Sequence, residues 1–423
     1  MALTEKGYRP RLIDSKITRY MGLFGALSIE GPKWCGKTWT ALNHANSVVY
    51  IMDPENDYAN REAARLNPAI ILAGEKPVLV DEWQEVPGIW DAVRFASDRT
   101  KKKGMYLLTG SVTPAEGSFV HSGAGRIGKI RMRTMSLYES GNSSGAVSFL
   151  ELFRGKKIKP GKSFLSQDKL ITLAIRGGWP ENIKVSKKNA GILPEQYNMV
   201  LAGTDIINAG NVKRNPVLVL HLLAAIARTN VTPALQNTIV ADVQARFGEV
   251  SRQTVAEYLS ALLRLYVVEE IPQWFPELRD KLRLRKTPKR MLADPSIAVS
   301  ALKAGPNDLV RDPRTLGGIF ENLCLRDLLV YCEALGAKLS HYHDATGLEI
   351  DAIIEFGKQW AGIEIKMGAH RVEDGAAVLI RLREKLVSKG AVAPAFLCVI
   401  TGGGPLYTRD DGIHVIPIDC LKP

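Results

Sequence analysis

The stretch "ALSIEGPKWCGKTWTALNHA", residues 26–45, constrains the fold more than any other part of the chain. An apolar, strand-like run ends in Gly31-Pro32-Lys33-Trp34-Cys35-Gly36-Lys37-Thr38, and a helix-compatible run follows. In G-x-x-x-x-G-K-[ST] placed this way, the glycines let the backbone curl so that successive N–H groups and a helix N-terminus point at phosphate oxygens. These eight residues are therefore expected to cradle ATP. Lys37 is expected on the β and γ phosphates, and Thr38 in the shell of Mg2+.

Such a loop belongs on a parallel sheet, and residues 26–111 supply the strands: "ALSIE", "SVVYIMD", "PVLVDEW" and "GMYLLTGS" alternate with helical or loop material. The run "PVLVDEW" ends in two acids at the edge where parallel sheets bind ligands. Asp81 is the expected magnesium-shell carboxylate, and Glu82, turned to another face, the catalytic group that polarises the attacking water. Thr109 and Ser111, at the end of the next strand, are placed to sense the γ-phosphate. Arg126, in the glycine-rich "HSGAGRI", is a candidate arginine finger acting in cis or in trans, and a role in trans requires a homo-oligomer.

"YRPRLID", "GPKWCGKT", "DEWQEVPGIWDAVR", "LTGS" followed by Pro114, and "GAGRI" through "MSLYE" together resemble a widespread prokaryotic family of AAA-superfamily ATPases with an uncharacterised C-terminal domain. "KTPKRMLADPSIA", and "FENL" through "EIKMG", resemble that C-terminal part, so the likeness covers essentially the whole chain. It implies ATP binding and leaves the biological task open. Val112 departs from the small residue expected there, which touches nothing catalytic.

The middle of the chain reads as helical. "NPVLVLHLLAAIAR" starts on an Asn cap with proline at the first helical position. Within "TIVADVQARFGEVSRQTVAEYLSALLRLYVVEEIPQW", two helices flank a turn at Phe247-Gly248. Val255, Leu259, Leu262, Leu263 and Tyr266 form one buried stripe, leaving Arg252 and Gln253 free at the N-terminal end. Seven basic residues follow in 279–290 against one acid: Arg279, Lys281, Arg283, Arg285, Lys286, Lys289 and Arg290. This pattern looks like a winged helix-turn-helix, with Arg252 and Gln253 at the groove of DNA and the basic segment on phosphate. Winged helices also dock proteins, so a protein partner is the competing expectation.

From 314 the order helix, three strands, helix, strand is similar to the core of restriction-endonuclease-like folds. Glu364 and Lys366, two apart in "GIEIK", share a strand face, and Asp351 lies in the preceding strand. Asp351, Glu364 and Glu321 are the candidate acids for a metal ion, with Lys366 as the group that orients or deprotonates a water attacking a phosphodiester. His341 and His343 read as satisfied strand histidines. The fold class is thus α/β in three parts: a P-loop NTPase parallel-sheet domain (1–160), a helical winged-helix region (161–300), and a restriction-endonuclease-like domain of PD-(D/E)xK type (301–423).

Composition agrees with polyanionic partners: 56 Lys and Arg against 44 Asp and Glu give a net charge of +12. Five scattered cysteines without a C-x-x-C pair argue against a disulfide framework or zinc knuckle and fit a reducing cytoplasm. No signal-peptide apolar region opens the sequence, and "VLVLHLLAAIA", at 217–227, is too short to span a bilayer, so no membrane is expected. The expectation is an ATPase that engages DNA and carries a nuclease-like domain. The competing one is a nucleotide switch that recruits a protein partner through an inactive nuclease-like domain.

Overall fold

The computed structural model describes residues 2–55, 57–114, 117, 121–208, 214–276 and 287–423. Compactness groups them into two units. The first comprises 1–134, 204–214 and 260–267, and the second 135–203, 215–259 and 268–423.

Unit 1 is built on five parallel strands, β1 (Ala26–Glu30), β2 (Ser47–Tyr50), β3 (Val78–Asp81), β4 (Tyr106–Gly110) and β5 (Ile127–Arg131), in the order β2-β3-β4-β1-β5. Successive side chains alternate between faces, and both faces are covered. Val78, Val80, Tyr106 and Leu108 pack with Trp83, Ile89, Trp90 and Val93 on one side. Leu27, Ile29, Leu79 and Leu107 pack with Ile13, Ile17, Ala41 and Leu42 on the other. This two-sided burial explains the near-continuous apolar runs of a parallel sheet. The sequence did not mark β5, because Gly128 and Lys129 interrupt its apolar pattern. Helix α1 (Lys37–Leu42) starts directly after the glycine loop, and α2 (Gly88–Thr100) follows β3.

In unit 2, helix α3 (Pro216–Arg228) begins at Asn215, whose side chain accepts from the Val217 N–H, as the Asn cap and first-turn proline require. Helices α4 (Gln236–Phe247) and α5 (Arg252–Arg264) flank a four-residue turn, and the Ser251 Oγ accepts from the Thr254 N–H at 2.9 Å. From Ser260 on, α5 belongs to unit 1. An antiparallel pair follows, β6 (Val268–Ile271) and β7 (Lys289–Leu292), in register Val268 to Leu292. Of the basic segment, Arg279, Lys281, Arg283, Arg285 and Lys286 lie outside the described residues.

The long helix α6 (Pro313–Leu335) then leads into β8 (Lys338–His343), β9 (Glu349–Phe356), β10 (Gln359–Lys366), helix α7 (Val372–Ser388), β11 (Phe396–Thr401) and β12 (His414–Pro417). The sheet runs β8-β9-β10-β11-β12 and continues through the short strands Pro405–Thr408 and Gly161–Lys162. β8, β9 and β10 are antiparallel neighbours, whereas β10, β11 and β12 are parallel. Leu379, Leu382 and Leu386 of α7 pack on Ile350, Ile353, Leu397, Val399 and Val415. Among the described residues, no helix is long and apolar enough to cross a membrane.

Candidate functional site

The glycine loop joins the carboxyl end of β1 to α1, and its shape has identifiable causes. Gly36 has φ +98, a left-handed conformation suited to glycine, and a Cβ on Gly31 would lie 2.1 Å from the Met132 carbonyl oxygen. Cys35 is fully buried, its Sγ 4.0 Å from the Met132 carbonyl, so it fills the space beneath the loop. Trp34, by contrast, is 45% exposed and has φ +64. Arg11, from the "YRPRLID" segment, donates to the Cys35 and Arg133 carbonyls, each at 2.8 Å, and so ties the loop to the chain leaving β5. Lys37 is buried, and its Nζ donates to the Pro32 carbonyl at 2.9 Å, inside the curve of the loop. Lys33 forms an ion pair at 2.6 Å with the buried Asp205.

Strand order places the acids beside this loop. Because β4 lies between β1 and β3, Asp81 is abreast of Thr109 and Glu30 abreast of Gly110. Asp81 Oδ1 accepts from Thr38 Oγ1 at 2.8 Å and from Thr109 Oγ1 at 2.5 Å. Burial raises the Asp81 carboxyl above its ordinary value, the two threonine hydroxyls counter it, and Glu82 adds to the rise. A hydroxyl and a carboxylate meeting at the mouth of the loop are the hard oxygen donors that Mg2+ takes, so Thr38 and Asp81 fit that ion. Glu82 has φ +56, which swings its side chain off the β3 face pattern. Ser111 Oγ donates to it at 3.0 Å and Gln84 Nε2 donates to its other oxygen. A cavity of about 340 Å³ lined by Tyr50, Met52, Asp53 and Asp81 opens at the same edge.

Two features of this edge escaped the sequence. The Tyr266 hydroxyl donates to Glu30 Oε2 at 3.0 Å and accepts from Thr113 Oγ1 at 2.7 Å, while the Arg131 guanidinium lies 3.7 Å from its ring centroid. Tyr266 was legible as part of a buried stripe, but its polar end was not. Arg126 requires a correction. It immediately precedes β5, whose Ile127 is abreast of Ala26 at the start of β1. It therefore lies at the amino edge, a five-residue strand, about 16 Å, from the phosphate loop. Its Nε pairs with Asp98 at 2.6 Å. Strand direction thus sets Arg126 away from the phosphate loop of its own chain, as a basic residue of a surface loop paired with Asp98.

In unit 2 the four residues expected to act together do converge. Lys366 Nζ lies 2.5 Å from Glu364 and 3.5 Å from Asp351, and Asp351 Oδ2 accepts from the Ile365 N–H at 2.8 Å. Glu364 Oε1 accepts from the Asp351 N–H at 3.2 Å. Glu321 approaches from α6, and the cation that meets it is unexpected. Lys289 of β7 is 1% exposed, its Nζ 3.3 Å from Glu321, 3.1 Å from Glu349 and 3.5 Å from Asp351. The sequence had placed Lys289 on phosphate as one of a basic run. Burial among three carboxylates removes it from that role, and Arg290 pairs with Glu270 at 2.9 Å. Burial and the Asp351 charge push both Glu321 and Glu364 up to about 8. Burial alone would raise Asp351 too, but the Lys289 and Lys366 ammoniums outweigh it and hold that carboxyl below its ordinary range. Among the described residues, no group of three or more His, Cys, Asp or Glu side chains is arranged to hold a metal ion.

Arg252 and Gln253 are exposed at the start of α5, and Gln253 donates to Glu257 at 2.9 Å.

Comparison with known proteins bears on these sites unevenly. Residues 24–141 match the family described as an AAA domain. Residues 167–308 and 316–421 match two families described as domains of unknown function, DUF8612 and DUF4143. Two curated relatives, uncharacterised proteins of Mycobacterium bovis and Mycobacterium tuberculosis, are each 24% identical over 399 residues, covering 92% of this chain and 79% of theirs. Among solved structures, the Walker-type ATPase paby2304 of Pyrococcus abyssi aligns over 71% of this chain and 97% of its own, at 13% identity and a TM-score of 0.44. The replication initiator DnaA bound to AMPPCP and single-stranded DNA aligns over 60% and 86%, at 13% identity and a TM-score of 0.29. At those scores the two structures carry no argument, which rests on the family match and the loop geometry. Residues 24–141 thus match an AAA domain built around a P-loop, and the two segments that follow match families with no assigned function.

Proposed function

We propose that the protein is a magnesium-dependent ATPase of the cytoplasm that engages DNA through residues 161–300 and carries a nuclease-like domain over 301–423, the ATPase domain occupying 1–160. The observation that carries the first part is the Thr38–Asp81–Thr109 hydrogen-bond set at the mouth of the glycine loop. Gly31 to Gly36 would present backbone N–H groups to the phosphates, with the Lys37 ammonium released from Pro32 onto the β and γ oxygens. Bound magnesium, held by Thr38 and Asp81, would neutralise charge on those oxygens. Glu82, oriented by Ser111 and Gln84, would accept the proton of the attacking water. Lys37→Ala should abolish nucleotide binding, and retained affinity would remove the claim.

DNA engagement is supported by the helix pair α4 and α5, the antiparallel pair after them, and the exposed Arg252 and Gln253. With Lys289 and Arg290 paired, the proposal assigns phosphate contacts to Arg252 and to five basic residues outside the described ones, Arg279, Lys281, Arg283, Arg285 and Lys286. Six contacts give a slope of log K against log salt near about −5, whereas a slope near zero would mean a protein partner. The nuclease-like reading draws on the convergence of Glu321, Asp351, Glu364 and Lys366, with Lys366 as the group that would orient an attacking water. One observation favours the second reading, a nucleotide switch with a silent nuclease-like domain: Lys289 already supplies a cation to Glu321 and Asp351. Cleavage of DNA with Mg2+ or Mn2+ decides between them, and an Asp351→Ala chain that still cuts would clear this site of the activity.

A further inference from the structure

A cavity of about 780 Å³ opens over Asp351 and Lys366 in unit 2. It lies at the carboxyl ends of the parallel strands β10 and β11, bounded by the segments that follow them, Met367–Arg371 and Gly402–Gly404, and by the first turns of α6. Open α/β sheets bind ligands at this edge. The volume falls in the range of about 300–1,000 Å³ typical of small-ligand sites, which suits one nucleotide unit and not a duplex.

The lining has the composition such a ligand needs. Leu165, Leu170, Val310 and Met367 give the lining apolar surface for a base, and Lys366 and the exposed Arg314, His370 and Arg371 line it too, Arg371 pairing with Asp374 at 3.1 Å. Consecutive glycines, Gly317 and Gly318, line the cavity inside helix α6, where each costs about 1 kcal/mol relative to alanine. Packing does not demand them: a Cβ on Gly317 would meet nothing within 4 Å, and one on Gly318 only the Asn230 carbonyl at 4.0 Å. They keep the cavity open. On its floor, Lys289 meets both Glu321 and Asp351, and Lys366 meets Asp351, so cations stand beside the two carboxyl groups that line the cavity.

We propose that this cavity binds one nucleoside phosphate, free or as the phosphorylated end of a single strand, and does so without a divalent cation, because the Lys289 and Lys366 ammoniums already stand against Glu321 and Asp351 where such an ion would sit. The inference rests on reading the C-terminal domain as one that engages nucleic acid, and it names the ligand of that site. A domain working this way reports a strand end or a nucleotide without requiring cleavage.

The test uses the full-length chain with Lys37→Ala, so that the P-loop contributes nothing, in EDTA. Thymidine 5′-monophosphate and a 5′-phosphorylated thymidine dinucleotide are titrated by calorimetry. Saturable binding of either supports the proposal: the mononucleotide points to a free ligand, the dinucleotide alone to a strand end. Gly317→Leu, which fills the cavity from a helix-favouring residue, should weaken binding at least tenfold with an unchanged unfolding midpoint. Lys366→Ala should do the same to affinity and is the second variant should Gly317→Leu lower the midpoint. Binding that appears only with Mg2+ overturns the proposal, as does affinity indifferent to both variants or no binding at all. Metal-dependent cleavage of DNA by the wild-type chain is scored separately. Its absence counts against the nuclease reading while leaving metal-free binding intact.

Discussion

Replacing Glu364 with glutamine should flatten the pH dependence of stability. The side chain is 4% exposed, takes the Lys366 ammonium at 2.5 Å and the Asp351 N–H at 3.2 Å, and glutamine keeps that shape without the charge. Its carboxyl is pushed up to about 8 from an ordinary 4.5 by burial and by Asp351. Between those values the folded chain holds a proton that the unfolded chain has lost, so stability falls as pH rises from 4.5 towards 8. At about 1.4 kcal/mol per pH unit, the fall has a ceiling of about 5 kcal/mol for this one group. Glu321, also raised to about 8, adds a fall of the same sign in the same window. Asp351 is depressed, so its contribution is complete above its unfolded value and flat across this range. Urea unfolding in EDTA from pH 5 to 8.5, followed by tryptophan fluorescence that includes the buried Trp274 and Trp360, measures it. The wild type should weaken with pH and Glu364→Gln should weaken less steeply. A wild-type midpoint that climbs through this range, or parallel profiles for the two proteins, would refute the reasoning.

Other expectations concern particular side chains. Glu82→Gln should leave ATP binding intact and slow turnover by about 10²–10⁴, the range for a lost general base; single-turnover kinetics checks it. Tyr266→Phe removes the hydroxyl that bridges Glu30 and Thr113 and should cost about 1–3 kcal/mol, read by thermal or urea unfolding. Arg126→Ala should leave turnover unchanged at dilutions where the chain is monomeric. If the residue serves a neighbouring copy, the loss appears only as protein concentration rises. Arg252→Ala should lower DNA affinity and reduce the salt slope by about 1.

Local signals made the ATPase domain legible. The loop motif, the β-branched run before Asp81-Glu82 and the threonine at the end of the next strand each lie within one segment, and a parallel sheet converts their positions into a shared edge. What the sequence concealed depends on chain distance. Lys289 belongs to a run of basic residues and reads as surface charge, yet it is buried against Asp351, 62 positions on. Arg126 sits in a glycine-rich loop that resembles a phosphate contact, and only the direction of β5 reveals that it is at the other edge. Arg11 looks like one more exposed cation until its two carbonyl partners, one of them 122 positions away, are seen. Strand periodicity puts Glu364 and Lys366 on one face, but it does not show that the fold covers Glu364 there. Periodicity fixes which side a residue takes. It does not fix what lies over that side.

The central claim is that the P-loop hydrolyses ATP in the service of DNA. Its most direct measurement is the steady-state ATPase rate of the full chain, with and without duplex DNA, beside Lys37→Ala. The account predicts magnesium-dependent turnover that rises with duplex and vanishes in Lys37→Ala. Turnover in Lys37→Ala equal to the wild type would contradict the site, and a wild-type rate indifferent to DNA would contradict its coupling.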